Sequence, residues 1–156
     1  MSFSTNIIIP CFNEEKRLFF DDFSIFINQH KNIRFCFVND GSRDNTAGKL
    51  AEFQKTNSEQ ILLLNLEKNQ GKAEAVRQGI LFAQKKAPAE LAGFIDADLA
   101  TPLNEIERLT ELFEKNSELE IAIASRVKLL GYNIQRKAMR HYVGRIFATA
   151  ASWLLG

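Results

Sequence analysis

Apolar positions follow two alternating rhythms along this 156-residue chain. Short runs rich in Ile, Val, Leu and Phe occupy residues 5–9, 34–38, 61–66, 91–95 and 120–124. Their length and β-branched or aromatic character predict five strands. Longer stretches with helical spacing lie between them. Residues 14–30 predict a helix with Leu18, Phe23, Phe26 and Ile27 on its inner side. Asp44 or Asn45 can cap a second helix that runs to residue 53 or 55. Residues 71–86 predict a third, ended by Pro88. Thr101-Pro102 begins a fourth: Thr caps, Pro suits the first turn, and Glu105 and Glu107 favour the positive end of the helix dipole. The run 61–66 is apolar at nearly every position, as a strand buried on both faces should be. The alternation as a whole predicts an α/β fold: one mostly parallel sheet with helices on both faces. No internal repeat, low-complexity tract or linker interrupts it, so residues 1–156 are expected to form a single domain.

The last segment has a different pattern. From Arg136 onward, Met139, Tyr142, Val143, Ile146, Phe147, Ala150, Trp153 and Leu154 recur at helical spacing, while Lys137, Arg140, His141 and Arg145 take the other side. Residues 136–156 therefore predict a basic amphipathic helix, packed on its own domain or facing a membrane surface. Charge sharpens this picture. Residues 126–156 hold six basic side chains and no acid, so with +1 overall the first 125 residues carry −5. Such asymmetry predicts an anionic partner for the basic part.

Composition adds exclusions. Apolar residues at 46% and charged residues at 25% describe a globular chain long enough to bury a core, not a disordered one. Two cysteines, Cys11 and Cys36, without a C-x-x-C, argue against a zinc or disulfide framework and fit a reduced cytosolic compartment. No secretory leader and no apolar run of transmembrane length is read in the chain. Most of the thirteen Phe are expected in the core.

Chemistry is concentrated after the strands, where open α/β sheets bind ligands. Asp96-Ala97-Asp98 follows the fourth run. A strand interior has no use for two acids, but at a strand's end they can converge on a hard cation, which prefers oxygen ligands. Pro10-Cys-Phe-Asn13-Glu14-Glu15 follows the first run, with Asn13 able to cap the next helix. Asn39-Asp40-Gly41-Ser42 follows the second. There Gly41 permits a tight turn, and Asp40 can accept from a base N–H or a ribose hydroxyl, or simply cap the turn. Gly71-Lys72 opens the helix after the third run and offers backbone N–H groups and an ammonium to a phosphate. Ser125-Arg126 follows the fifth. G-x-x-x-x-G-K and G-x-G-x-x-G are both absent, which argues against a P-loop or a classical dinucleotide site. An acceptor for base or ribose, a phosphate-facing Gly-Lys, a cation site and further arginines together describe a nucleotide-diphosphate site.

Taken in order, NIIIPCFNEE, FCFVNDGSRDNT, NQGKAEAVRQG, GFIDADLATP and AIASR resemble the motifs of the inverting family 2 glycosyltransferases across nearly the whole chain. Within that family, DADLATP followed by ASR is most similar to the polyprenyl-phosphate (dolichyl-phosphate) glucosyltransferase and mannosyltransferase branch. The resemblance implies a GT-A-type, Rossmann-like fold. It implies transfer of a sugar, glucose from UDP-glucose first and mannose from GDP-mannose second, to a polyprenyl or dolichyl phosphate. It places Asp40, with Pro10 and Glu14 nearby, at the nucleoside, Lys72 near the nucleotide or its diphosphate, and Asn13 and Gly71 within the same nucleotide-sugar site. Asp96 falls at the sugar or ribose, and Asp98 on Mg²⁺ or Mn²⁺. Arg126, Arg136 and Arg140 fall at the acceptor phosphate. Asp96, Asp98 and Arg126 would carry the chemistry. A peripheral position at the cytoplasmic face of a membrane follows, without a nucleic-acid partner. Two departures stand out. Asn39-Asp40 replaces the frequent Asp-Asp. The family's domain also continues past residue 156, so a C-terminally truncated chain is expected, without the D-x-Q-C-G-F-K-like acceptor motif. Transfer to a saccharide hydroxyl is an alternative, as is donor binding without turnover. A nucleotidyltransferase would need a glycine-rich basic loop where Asn13-Glu14-Glu15 stands.

Overall fold

A computed structural model describes residues 3–124. Backbone contacts divide the chain into units Met1–Ala122 and Ile123–Gly156. The first unit is built as β1 (Thr5–Cys11), α1 (Phe20–Gln29), β2 (Ile33–Asp40), α2 (Thr46–Thr56), β3 (Ile61–Leu66), α3 (Lys72–Lys86), β4 (Leu91–Phe94) and α4 (Asn104–Lys115). Four strands form one sheet in the order β3-β2-β1-β4, all parallel. Ile8 sits in register with Cys36 on one side and Phe94 on the other. The expected mostly parallel α/β sheet is what the chain forms.

Alternation within β1 and β2 divides the core. Ile7, Ile9, Ile33, Phe35 and Phe37 face one side, where Phe23, Phe26 and Ile27 of α1, Leu50 and Phe53 of α2 and Ile106 of α4 cover them. Aromatic rings pack edge to face there: Phe23 lies 5.1 Å from Phe35 and 5.2 Å from Phe37 between centroids. That geometry matches the positive edge of one ring to the negative face of the next. Ile8, Cys36 and Val38 face the other side, where α3 lies close through Ala75, Gly79 and Ala83. Small residues on α3 let the helix backbone approach the sheet.

Four elements differ from the sequence expectation. The first helix starts at Phe20 instead of residue 14, because the amides of residues 13–15 are tied to the loop after β2. The run 61–66 is an edge strand with one buried residue, Ile61, and an exposed Asn65, so its apolar character does not report burial on both faces. Residues 120–124 form no strand: among the described residues no neighbour pairs with them, and Ile121 and Ile123 are 73% and 84% exposed. The fourth helix begins at Asn104, after a turn in which Glu105 N–H donates to Pro102 O. Residues 136–156 lie outside the described residues. Among the described residues no helix is long and apolar enough to cross a membrane.

The close seat of α3 is testable. A Cβ on Gly79 would stand 2.5 Å from Ile8 Cγ2 and 2.7 Å from Val38 Cγ2. Ala favours a helix interior over Gly by about 1 kcal/mol, but overpacking against branched methyls costs about 1–3 kcal/mol. Gly79→Ala should lower the denaturant midpoint at unchanged slope; a raised midpoint would mean that α3 can lift from the sheet at no cost.

Candidate functional site

Strand order places the site. Successive strands move outward from β1 to β2 and β3, and then the chain crosses back to pair β4 with the free side of β1. The loops leaving β1 and β4 diverge at that reversal, and a crevice opens between them. A cleft of roughly 280 Å³ lies there. Pro10, Cys11 and Ala97 form its apolar part, Phe12 and Glu14 come from the β1 loop, and Asp96 and Asp98 from the β4 loop. Asp40, Asn69 and Lys72 complete it from the neighbouring loops.

The loops after β1 and β2 are held together by side chain to backbone bonds. Asn13 N–H donates to Ser42 Oγ (3.0 Å) and Arg43 N–H to Asn13 Oδ1 (2.9 Å). Glu14 N–H donates to Thr46 Oγ1 (2.9 Å), and Glu15 N–H to Asp44 Oδ2 (3.2 Å). Asn13 has φ 55°, a left-handed conformation that Asn tolerates better than most residues. Asn13 is therefore neither the helix cap nor a wall of the cleft; its amide oxygen is committed to the second loop.

Asp40 is 3% exposed, and its carboxylate accepts from Gln70 N–H (2.8 Å) and Gly71 N–H (3.0 Å). Its main partner is thus the loop after β3, not solvent. Gly41 makes this possible. It has φ +64°, and a Cβ there would stand 2.5 Å from Asn69 N and from Lys68 C. Gly71 has φ +89° with open space around it, so conformation alone demands glycine. The residue is brought to the site through its N–H on Asp40. Asn39, at the position of the frequent Asp, donates to Asn65 Oδ1 (3.0 Å) and accepts from Ser42 N–H (3.1 Å).

At the β4 end, Asp98 is exposed and Oδ1 accepts from Ala100 N–H (3.1 Å). Leu99 follows with φ 51°, a strained conformation for a branched apolar residue, and packs against the core. Asp96 Oδ1 accepts from Lys72 Nζ, which also lies 5.6 Å from the Phe94 ring centroid. Lys72 is thus drawn to the carboxylate side of the cleft.

Glu14 faces the same space. Arg17 Nη2 donates to Oε1 (2.8 Å), and Arg17 Nε lies 2.7 Å from Oε2, off the hydrogen-bonding line, so Oε2 is buried without a hydrogen bond. Burial pushes the Glu14 carboxyl above its ordinary pKa; Arg17 opposes this, and the charges of Asp98 and Asp44 reinforce it. Burial also raises the Cys11 thiol, with Glu14 adding to the effect, so Cys11 stays a neutral thiol in the cleft.

The expected site residues Pro10, Glu14, Asp40, Lys72, Asp96 and Asp98 converge on this cleft. Arg126, Arg136 and Arg140 lie outside the described residues. Phe12 and Asn69 were not anticipated on the wall. A solvent-facing aromatic within a polar loop was the available signal for Phe12, which is 42% exposed. Among the described residues no group of three or more His, Cys, Asp or Glu could hold a metal by itself. The free donors are carboxylate oxygens, and so the site fits a hard cation that takes further oxygens from its ligand.

Fold and cleft together describe an α/β domain with an acidic ligand cleft at the reversal of strand order. The sequence profile of glycosyl transferase family 2 matches residues 6–149, and the chain belongs to that family. It is 32% identical over 143 residues to the dolichyl-phosphate beta-glucosyltransferase of Dictyostelium discoideum, a match covering 85% of this chain and 42% of that protein. The corresponding Homo sapiens protein is 30% identical over 146 residues, covering 85% and 44%. The chain therefore spans less than half the length of these curated relatives. Among solved structures, a Pyrobaculum calidifontis mannosyltransferase in complex with GDP-Man and Mn²⁺ superposes with a TM-score of 0.52. It is 20% identical, over 63% of this chain and 28% of that one.

Two outcomes follow from this geometry. Gly41→Ala should unseat the loop after β3 and destabilise the fold by at least about 1 kcal/mol, since both its conformation and its space are denied; an unchanged melting temperature would contradict the close approach. For Glu14, a folded pKa raised above the unfolded value means that wild-type stability falls as pH rises through the carboxylate range. Glu14→Gln should therefore melt higher than wild type at pH 7, with the gap closing as pH falls and Glu14 takes up its proton. A gap that widens toward acid would reverse the sign of the burial effect.

Proposed function

We propose that this chain is the donor-binding part of a single catalytic domain that moves a sugar from a nucleotide diphosphate to a polyprenyl or dolichyl phosphate. One observation carries the reading: Asp96 and Asp98 leave β4 at the point where strand order reverses, facing Lys72 and Glu14 across the cleft. UDP-glucose is the favoured donor, because relatives bearing the dolichyl-phosphate beta-glucosyltransferase name match over most of this chain; GDP-mannose is second.

In this reading each residue has a physical task. Phe12 offers an aromatic face to the base. Glu14 and Pro10 border the nucleoside. Asp40 does not reach the ligand first; it fixes the loop whose Gly71 and Lys72 face the diphosphate. Asp96 lies toward the ribose or sugar. Asp98 would hold Mg²⁺ or Mn²⁺ jointly with phosphate oxygens, and the bound ion would neutralise charge developing on the leaving diphosphate. A phosphate acceptor is already an anion, so its attack on the anomeric carbon with inversion needs little help from a base. Arg126, Arg136 and Arg140 would meet that acceptor phosphate. The basic segment 136–156 would place the protein at the cytoplasmic face of a membrane.

Titration calorimetry with UDP, GDP, UDP-glucose and GDP-mannose, each with and without Mn²⁺, tests this. The uridine nucleotides should bind in the presence of Mn²⁺. Asp98→Ala should weaken that binding at least about tenfold, since even outer-shell partners of a metal ligand are worth 10–100-fold. Donor affinity unchanged in Asp98→Ala would sink the assignment.

A further inference from the structure

Lys72 occupies a telling position among the acids of the cleft. Glu14, Asp40, Asp96 and Asp98 all border it. Asp40 is buried with its oxygens taken up by backbone amides and Glu14 pairs with Arg17, which leaves Asp96 and Asp98 as the acids open to a ligand. Lys72 donates to Asp96, and Phe94 lies beneath the same ammonium. The two side chains of this pair are 55% and 46% exposed. An ion pair so open to water is weak and easily exchanged. Were Lys72 neutral, two carboxylates two residues apart would face solvent at a strand end, an arrangement attractive to a hard divalent cation.

We propose that Lys72 is a built-in counter-ion that keeps a divalent cation from settling in the ligand-free cleft, so that cation and nucleotide bind as a coupled pair. The proposal rests on reading the cleft as a nucleotide-diphosphate site. A diphosphate brings its own negative charge, which draws the ammonium off Asp96 toward phosphate oxygens. The exchange lifts the positive charge from the carboxylate edge at the moment when phosphate oxygens become available to complete the cation's shell. Lys72 is thus a positioning residue: it reaches the chemistry through which ion the carboxylates accept, and when. Its placement suits this, because the closed loop after β3 aims the first residue of α3 across the cleft, and Phe94 holds the ammonium near Asp96 without burying it.

The test measures Mn²⁺ binding to the full 156-residue chain by the paramagnetic resonance signal of the free ion, with and without UDP. Wild type should bind Mn²⁺ weakly alone and more tightly with UDP. Lys72→Met should tighten Mn²⁺ binding in the absence of nucleotide roughly three- to tenfold, the change expected on removing one cation a few ångströms from a divalent ion at a water-exposed site. The tightening brought by UDP should shrink in the same variant. Lys72→Arg keeps the charge and should bind Mn²⁺ as wild type does. Because Lys72 is exposed, neither variant should change the melting temperature. If Lys72→Met leaves Mn²⁺ affinity unchanged while UDP still tightens the ion in wild type, the counter-ion role fails and the nucleotide site stands. Tightening in Lys72→Arg as well would also overturn it, since charge would not be the cause. If UDP does not affect Mn²⁺ binding in wild type, the nucleotide reading itself fails and the proposal falls with it.

Discussion

A buried carboxylate holds the site together. Asp40 ends β2 almost fully enclosed, and an ionised group in that position is tolerated only when its oxygens are hydrogen-bonded. The partners are the amides of Gln70 and Gly71. Satisfying them pulls the loop after β3 over the end of β2 and brings its backbone so near Gly41 that no side chain fits between. The same closure sets where α3 begins, and hence where Lys72 points. Alanine at Gly41 or an apolar residue at Asp40 would therefore disturb the far side of the cleft, although neither residue approaches Asp98 in sequence.

A second set of bonds fixes the opposite wall. The loop after β1 lends its amides to Ser42, Asp44 and Thr46, which makes it part of a shared turn instead of the start of a helix. Strain collects in these loops: Asn13 and Leu99 are the non-glycine residues with positive φ among the described residues, one in the β1 loop and one beside Asp98. A leucine there costs on the order of 1–2 kcal/mol, offset by its contact with the core. Holding Leu99 down fixes the turn that presents Asp98 to solvent. The sheet supplies stiffness, and the loops carry the chemistry on it.

Much of this was legible in the sequence, and the reasons are local. Strands at 61–66 and 91–95 and the helix at 71–86 are found nearly at their expected bounds because Gly71, Pro88 and the apolar runs act within a few residues. Asp96, Asp98, Lys72 and Glu14 could be placed at one edge because a parallel sheet sends every strand's end the same way. What escaped was decided by long-range partners. Nothing near Asn13 announces that Arg43 will claim its side chain, and nothing near Asp40 announces Gln70 and Gly71. The expectation of a strand at 120–124 failed for a similar reason: alternating Ile and Ala fit a strand, but a strand exists only beside a neighbour. The apolar run 61–66 misled because an edge strand whose side chains are half covered reads the same as a central one.

Charge balance at the cleft also constrains what can enter it. With Glu14 engaged by Arg17, Asp96 and Asp98 still outnumber the ammonium of Lys72. A bare diphosphate approaching these walls would meet a net negative field, and close carboxylates would repel it. A neutral ligand would leave the field unchanged and gain nothing from the acids. In the proposed reading, a diphosphate accompanied by a divalent ion would reverse the sign at the point of contact, with the ion toward Asp98 and the phosphates toward Lys72. The raised pKa of Glu14 belongs to the same balance, because the charge of Asp98 is one of its causes. Burial is the larger cause, and a cation beside Asp98 would relieve only the repulsion. The acids are thus a poor site for an anion alone and a suitable one for an anion and its metal together.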